Sequence, residues 1–437
     1  MWKWFAVSGV IAAVLLPVVA SAQVPFDNLQ RERARQMLRD LRDAMEHHYY
    51  DPKFHGVDMQ ARFQAADMRL QSVDNLGAAL TTIAQTLDAL KDSHTFFLPP
   101  SRNTHREYGY VLQMIGDRCF ITAVRPNRDA SEKLSAGDEV VTWQGFTPTR
   151  ETLWTMSYVF NTLVSLPVMN FAVQGSDGTT RKVDVTPKIT QEKRVLDMTD
   201  ENDYWKMVRE AETEDHDNRQ RTVSFSDKLL IWKMPEFDLT DDEVDRLIKD
   251  ARKYPALILD LRGNPGGYIK TLERIVGGVV DHDVTIAKRV GRRPDSKPEL
   301  AKSRGANAYS GKLTVLVDSR SASASELFAR VVQLEHRGNV LGDHSSGSVM
   351  EARHYSFHQG TDTMIFYGAS ITEADLIMAD GKSLEHTGVT PDEVILPSPA
   401  DLAARRDPVL ARAATLVGVE LDPVKAGQLF PIEWRKE

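Results

Sequence analysis

The sequence predicts an α/β protein, with an alternating strand and helix domain in its second half behind a helical segment and a β-rich module. Three observations carry this. Beyond about residue 226 apolar runs of strand length alternate with helical ones, the pattern of a sheet flanked by helices. Ala256 to Leu261 is apolar except for Asp260, the mark of a strand covered on both faces. The chain is 437 residues long with 42% hydrophobic side chains, more than one core usually holds, so several domains are expected.

Taken in order, the first segment reads as an export signal over residues 1–22. Lys3 gives a positive start, Val7 to Val19 is apolar, and Ala20-Ser21-Ala22 offers small residues for cleavage before Gln23. The apolar stretch is shorter than the roughly 20 residues of a spanning helix, and no later segment has the length and apolarity to span. A periplasmic or secreted mature protein without a stable membrane span is expected. Cys119 is the single cysteine, which excludes an internal disulfide framework and any multi-cysteine metal site. It reads as a small core residue. The net charge is −8 with acidic and basic residues interspersed, so nucleic acid is not an expected partner.

Residues 23–104 form an expected helical N-terminal domain, with Met37, Leu38, Leu41 and Met45, then Leu80, Ile83 and Leu87, at helical spacing. It closes on Leu90-Lys91-Asp92-Ser93-His94-Thr95 before Pro99-Pro100, placing a polar Ser-His pair at the end of an element. Residues 105–190 switch to short β-type runs, among them Cys119 to Val124, Glu139 to Trp143 and Asn170 to Val173. Residues 191–225 read as a charged connector, acidic from Glu210 to Asp217. The α/β domain is expected over 226–400 and a C-terminal extension over 401–437. Neither a phosphate-binding loop of Walker type nor His-Glu-x-x-His occurs, and no internal repeat is evident.

The residues with the clearest chemical potential lie in Lys312 to Asp318, a buried strand that runs through Ser319-Arg320-Ser321-Ala322-Ser323-Ala324-Ser325 into a helix from about Glu326 to His336. A serine at such a junction faces the first free amides of the helix, which favour an anion, as acyl transfer requires. Ser321, Ser323 and Ser325 are equally able to cap the helix, and spacing alone does not choose among them. The second candidate is Asp260-Leu261-Arg262-Gly263-Asn264-Pro265-Gly266-Gly267. Its paired glycines allow a close backbone approach and could complete an oxyanion hole, whereas the Gly-x-Gly-x-x-Gly spacing of dinucleotide binding is absent.

Two resemblances add to this reading. Ala130 with Leu134-Ser135-Ala136-Gly137-Asp138-Glu139-Val140-Val141 and Gly145 resembles the signature of PDZ domains, which bind peptide ends by strand addition. That likeness places Tyr108, Gly109, Tyr110 and Val111 at the carboxylate-binding loop. The Asp260 to Gly267 turn, Ser321 to Phe328, Arg337 with Gly342, and Glu385-His386-Thr387-Gly388-Val389-Thr390-Pro391-Asp392 occur in the order of the C-terminal processing, or tail-specific, peptidase family. With the PDZ-like module and the helical leader the resemblance covers nearly the whole mature chain. It implies a ClpP/crotonase-like catalytic domain and peptide-bond hydrolysis through an acyl-enzyme on Ser323, with no metal or organic cofactor.

The processing peptidases pair their serine with a lysine twenty-five positions later, where this chain has Ser348, and no lysine lies between Val340 and Lys382. The chain resembles instead the histidine-type tricorn branch. That implies His94 as base, Ser93 and Glu385 as its orienting groups, and the amides of Gly266 and Ala324 as oxyanion donors. His344 and His386 are rivals for the base. Ala324 stands where that branch carries an acidic residue, so a preference for basic side chains at the cleaved bond is not implied. Polypeptides, unfolded segments or tails among them, are the expected partners, and oligomerisation stays open. The readings from other classes are a degenerate peptidase that only binds peptides or apolar ligands, and an esterase on the same machinery.

Overall fold

A computed structural model describes residues 26–434 except 103, 192–219, 226, 293–296 and 361–363. The expected signal at 1–22 and the acidic run at 210–217 lie outside the described residues.

The chain opens with three helices, α1 (Asn28–His48), α2 (Met59–Leu70) and α3 (Leu76–Asp88). Each has a local start signal, since Asp27, Asp58 and Asn75 accept from the amide three residues on, satisfying donors that a helix leaves free. On α1, Ala34, Met37, Leu38, Leu41, Ala44 and Met45 form one buried stripe. Strand β1 (Phe96–Leu98) follows and pairs, far along the chain, with Gly368 to Ser370.

The β-rich module comprises β2 (Thr104–Glu107), β3 (Tyr110–Ile115), β4 (Arg118–Val124), the helix α4 (Asp129–Lys133), β5 (Glu139–Trp143), the helix α5 (Leu153–Ser157) with the wider turn Tyr158–Leu163, and then β6 (Met169–Gln174), β7 (Thr180–Val185) and β8 (Lys188–Gln191). Strands β3 to β7 form an antiparallel sheet in sequence order, leaving β3 at one edge, while β2 pairs with β8 to close the module's neck. Cys119 is buried in it, and burial pushes its thiol up to about 12, as suits a core residue. The expected boundary near residue 104 is not a break in packing. One apolar cluster runs from Leu41 and Ile83 through Trp143 and Phe160 to Tyr367, because the helices cannot bury their stripes against one another alone.

The second half holds β9 (Arg221–Phe225), β10 (Leu229–Lys233), α6 (Asp241–Ala251), β11 (Ala256–Asp260), α7 (Ile269–Val279), β12 (Val284–Gly291), β13 (Glu299–Ala301), β14 (Lys312–Val317), α8 (Ala324–Leu334), β15 (Asn339–Gly342), β16 (Met350–Gln359), β17 (Ile365–Met378) and β18 (Glu393–Val394). A six-stranded sheet runs in the order β18-β15-β14-β11-β10-β9. All its pairings are parallel except that of β9 with β10. Helices α6, α7 and α8 cover one face through Val244, Ile275 and Phe328. The other face is covered by α10 (Pro408–Leu416) and α11 (Pro423–Gln428), reached through the short α9 (Pro399–Ala403). The C-terminal segment expected as an extension is therefore the third layer of the α/β domain, which explains why every residue of β11 is buried. A separate antiparallel sheet, β1-β17-β12-β13 with β16 on β17, carries β1 and so fixes the residues just before it.

Candidate active site

Ser323 sits where β14 turns into α8. The turn is stitched by its own serines. Ser321 Oγ donates to Leu261 O (2.8 Å) and accepts from Asp318 N (2.9 Å), and Ser325 Oγ donates to Asn264 O (3.0 Å). Both are fully buried. Ser323 is half-buried, with φ 54° and ψ −117°, in the left-handed region that a non-glycine residue occupies at a cost. Such strain is a feature of sharp strand-to-helix turns that lift a nucleophile out of the sheet.

The fold holds this strained residue from both sides. Its amide donates to Ser348 O (2.8 Å) and to Glu326 Oε2 (3.0 Å). Glu326, on the first turn of α8 and completely buried, also accepts from Ser345 Oγ (2.6 Å), Gly347 N (2.7 Å) and Ser348 N (3.0 Å). Burial pushes its carboxyl up to about 7 against the pull of these donors. Glu326 thus clamps the loop 345–348 to the start of α8. Its three-residue spacing from Ser323 is that of a capping box, a signal present in the sequence.

Gly266 touches the same turn. A Cβ on it would lie 2.7 Å from Ser323 Cβ and 3.0 Å from Ala324 N, and its φ is +107°, so glycine is required by both contact and backbone. Its amide does not face an oxyanion pocket. Asn264 Oδ1 accepts from it at 2.8 Å, because the buried Asn264 side chain folds back over the Pro265 turn while its amide nitrogen donates to Met234 O (2.9 Å). This corrects the sequence expectation for Gly266. The next amide, Gly267 N, points away from Phe237, whose backbone bonds Gly266 O and Tyr268 N, since neighbouring amides of an extended segment face opposite ways. Ala324 N is the first amide of α8, where no helical carbonyl is available to accept from it.

Ser93, His94 and Glu385 meet. Ser93 Oγ donates to Glu385 Oε2 (2.8 Å) and lies 2.8 Å from His94 Nδ1. With its one proton given to the carboxylate, the hydroxyl accepts from Nδ1–H, which leaves Nε2 as the basic nitrogen. Glu385 also accepts from Ser93 N (2.9 Å) and Val349 N (2.8 Å). Val349 follows Ser348, so the relay and the Ser323 turn share one loop. Among the described residues, no hydrogen bond joins Ser323 Oγ to the His94 ring.

Asp92, to which sequence reasoning assigns no role, supports the pair. Its Oδ1 accepts from His94 N (2.9 Å) and Thr372 Oγ1 (2.7 Å), while Oδ2 is buried without a hydrogen-bond partner. The one signal for it in the sequence is its place immediately before Ser93-His94. Burial pushes His94 down to about 4, with Asp92 pulling it upward and His354 pushing it further down. Burial also raises Glu385, opposed by the amides and hydroxyl it accepts from.

The rival histidines lie elsewhere. His386 is exposed and reaches only the far oxygen of Glu385, at 3.6 Å. His344 is exposed, with Nδ1 at 3.3 Å from Thr390 Oγ1. Among the described residues no cluster of His, Cys, Asp and Glu could hold a metal ion, and no helix is long and apolar enough to cross a membrane.

The PDZ-like positions are set apart from this site. Tyr108 is buried and its hydroxyl donates to Leu166 O. Gly109 has φ +76° and would meet the Arg128 side chain at 2.8 Å if it carried a Cβ. Tyr110 opens the edge strand β3 with its ring edge-on to Phe171 and its hydroxyl buried and unpartnered. Val111 pairs with Ala123 just before a bulge.

The sequence model of peptidase family S41 matches residues 228–395, a span that holds Gly266, Ser323 and Glu385 but not Ser93-His94. The tail-specific protease of Haemophilus influenzae is 26% identical over 321 residues, covering 69% of this chain and 43% of that protein. A protein of Streptomyces coelicolor described as a tricorn protease homolog is 32% identical over 166 residues, covering 37% of this chain and 13% of its own. The chain thus spans less than half the length of these curated relatives. The crystal structure of mature CPAF shares the fold, with a TM-score of 0.64 at 16% identity over 86% of this chain and 95% of that one. The similarity in sequence to peptidase family S41 thus runs across β10 to β18, and the likeness to CPAF is one of fold.

Proposed function

We propose that the chain is an exported serine endopeptidase in which Ser323 attacks the peptide carbonyl and His94 takes its proton. Ser93 and Glu385 hold the imidazole in the tautomer that leaves Nε2 free and stabilise the imidazolium that forms. The amides of Ala324 and Gly267 receive the developing oxyanion at the positive end of α8. Asp92 positions His94 by holding its backbone. The observation that carries the reading is the relay from Glu385 through Ser93 to His94 at 2.8 Å per link, tied through Val349 to the loop that braces Ser323.

Catalytic contacts often tighten only when substrate is bound, and the open Ser323 to His94 link is read in that way. The same open link favours the second reading, a peptide-binding relative that no longer turns over. A fluorophosphonate probe separates the two, since covalent labelling requires an activated serine. Labelling that is lost in Ser323→Ala supports the peptidase; a folded wild-type chain that neither labels nor hydrolyses any peptide replaces it with the binder. Comparing peptide with ester turnover tests the esterase reading.

In this proposal the β-rich module captures substrate by strand addition on the N-terminal part of the β3 edge, since Met114 O farther along that edge already accepts from Ser319 Oγ, with Tyr108 to Val111 at the entry of the groove. Export through the N-terminal segment is part of the same reading, and a mature mass beginning at Gln23 tests it.

A further inference from the structure

A cleft of about 1740 Å³ separates the β-rich module from the α/β domain, with the edge of β3 on one wall and the ends of β14 and β15 with the C-terminal layer on the other. Its charge is lopsided. Ten Lys and Arg side chains but five Asp and Glu line it, in a chain whose net charge is −8. The five carboxylates already have partners. Glu107 meets Arg125 and Arg128, Asp343 meets Arg150, Asp407 meets Arg262 and Glu433 meets Arg221. Asp318 accepts from Gln113 Nε2, Gly263 N and Arg320 N.

Several of the cations have no such partner. Among the described residues no carboxylate meets the side chain of Arg102, Arg106, Arg320 or Arg405. Arg102 donates only to the carbonyls of Leu163 and Val164, and Arg106 to Ser165 Oγ (2.6 Å). The Arg106 Nε is buried with no hydrogen-bond partner. Burial lowers the Arg102 pKa and the neighbouring Arg106 charge lowers it further, so two like charges stand together without a counterion. Partly buried guanidiniums in that state are stabilised by an incoming carboxylate, with bidentate geometry available.

We propose that this cleft receives acidic polypeptide segments, whose Asp and Glu side chains pair with Arg102 and Arg106 on the module wall and with Arg320 and Arg405 on the facing wall. The inference rests on the peptidase reading for the fate of the bound chain but concerns selection, not cleavage.

The test uses the full chain carrying Ser323→Ala and fluorescence anisotropy with C-terminally amidated peptides of one sequence, bearing either Glu or Gln at alternate positions. The Glu peptide is expected to bind about tenfold or more tightly at low salt, with the advantage shrinking as salt is added. Arg106→Gln with Arg405→Gln should bring it to the level of the Gln peptide, whereas the paired Lys substitutions should keep most of the difference. In the otherwise wild-type chain the paired Gln substitutions should leave turnover of a short uncharged reporter unchanged. Equal affinity for the two amidated peptides overturns the proposal. So does a preference that appears only when the Gln peptide carries a free α-carboxylate, which would make the cleft a reader of chain ends. If the Gln variants fail to fold, the Glu to Gln difference and its salt dependence on intact arginines still decide. Absence of binding by every peptide, with Ser323 still labelled by the probe in wild type, overturns this inference alone; loss of labelling as well overturns the peptidase reading.

Discussion

The amide of Ser323 donates to the carbonyl of Ser348 at 2.8 Å, so the position that carries a lysine in the processing peptidases lies against the candidate nucleophile. Ser348 contributes its backbone to the site, through this carbonyl and through an amide that donates to Glu326. Ser348→Ala is therefore expected to change kcat/KM by no more than about threefold, as typical of a change that removes no bond to reacting atoms. A loss approaching that of Ser323→Ala, measured on the same peptide, would mean that the Ser348 hydroxyl takes part in activation.

The three serines of the turn separate by readout. Ser323→Ala is expected to lower kcat by on the order of 10⁴ or more while leaving stability nearly unchanged. Ser321→Ala and Ser325→Ala each remove a buried side-chain hydrogen bond to a carbonyl that keeps a backbone donor, and Ser321→Ala also leaves Asp318 N without its acceptor. The first should therefore cost about 1–3 kcal/mol of stability and the second about 0.5–1.5 kcal/mol, and both should keep most of the activity. Paired denaturation and turnover measurements check this; an inactive but stable Ser325→Ala would move the nucleophile.

Gly266→Ala should be among the most damaging single-methyl changes. The new Cβ would lie 2.7 Å from Ser323 Cβ, closer than two carbons approach without displacement. Loss of fluorophosphonate labelling at retained secondary structure is the expected result, and unchanged labelling would show that the turn yields at no cost.

The acid limb of activity should lie below that of an ordinary histidine. His94 must be neutral to accept a proton, and burial holds it near a pKa of about 4, so the catalytic form dominates above that value and is lost as pH falls through it. The folded pKa lies below the unfolded one, so the unfolded chain binds more protons between the two values. His94 therefore supports stability fully above about pH 6.5, and that support is lost as pH falls toward about 4. A kcat/KM profile that instead rises only in the lysine range would reject His94 as the base.

Glu326→Ala would leave the Ser323, Gly347 and Ser348 amides and the Ser345 hydroxyl without their shared acceptor. Removing one partner from a buried network of this kind costs about 3–5 kcal/mol. A melting temperature close to wild type would show that the clamp on loop 345–348 is dispensable.

Local chemistry makes much of this legible in the sequence. The helical stripe around Met37 and Leu41, the buried strand Ala256 to Asp260 and the serine-rich turn before α8 are each written within about a dozen residues, where side-chain period and capping chemistry act. The fold class follows from such patterns, and the family resemblance singles out Ser93, His94, Ser323 and Glu385. Which serine is open cannot be read from spacing, because Ser321 and Ser325 are withdrawn by carbonyls of a different turn, those of Leu261 and Asn264. The Gly266 amide defeats sequence reasoning for a related cause: the turn's glycines are visible in the chain, but the fold of the Asn264 side chain onto them is not. The C-terminal helices look like an appendage since nothing in their own sequence names the sheet face they cover. Tertiary structure alone joins Ser93 to Glu385, 292 residues apart, because a hydrogen bond across that separation depends on β1 pairing with β17 and leaves no periodic trace in either segment.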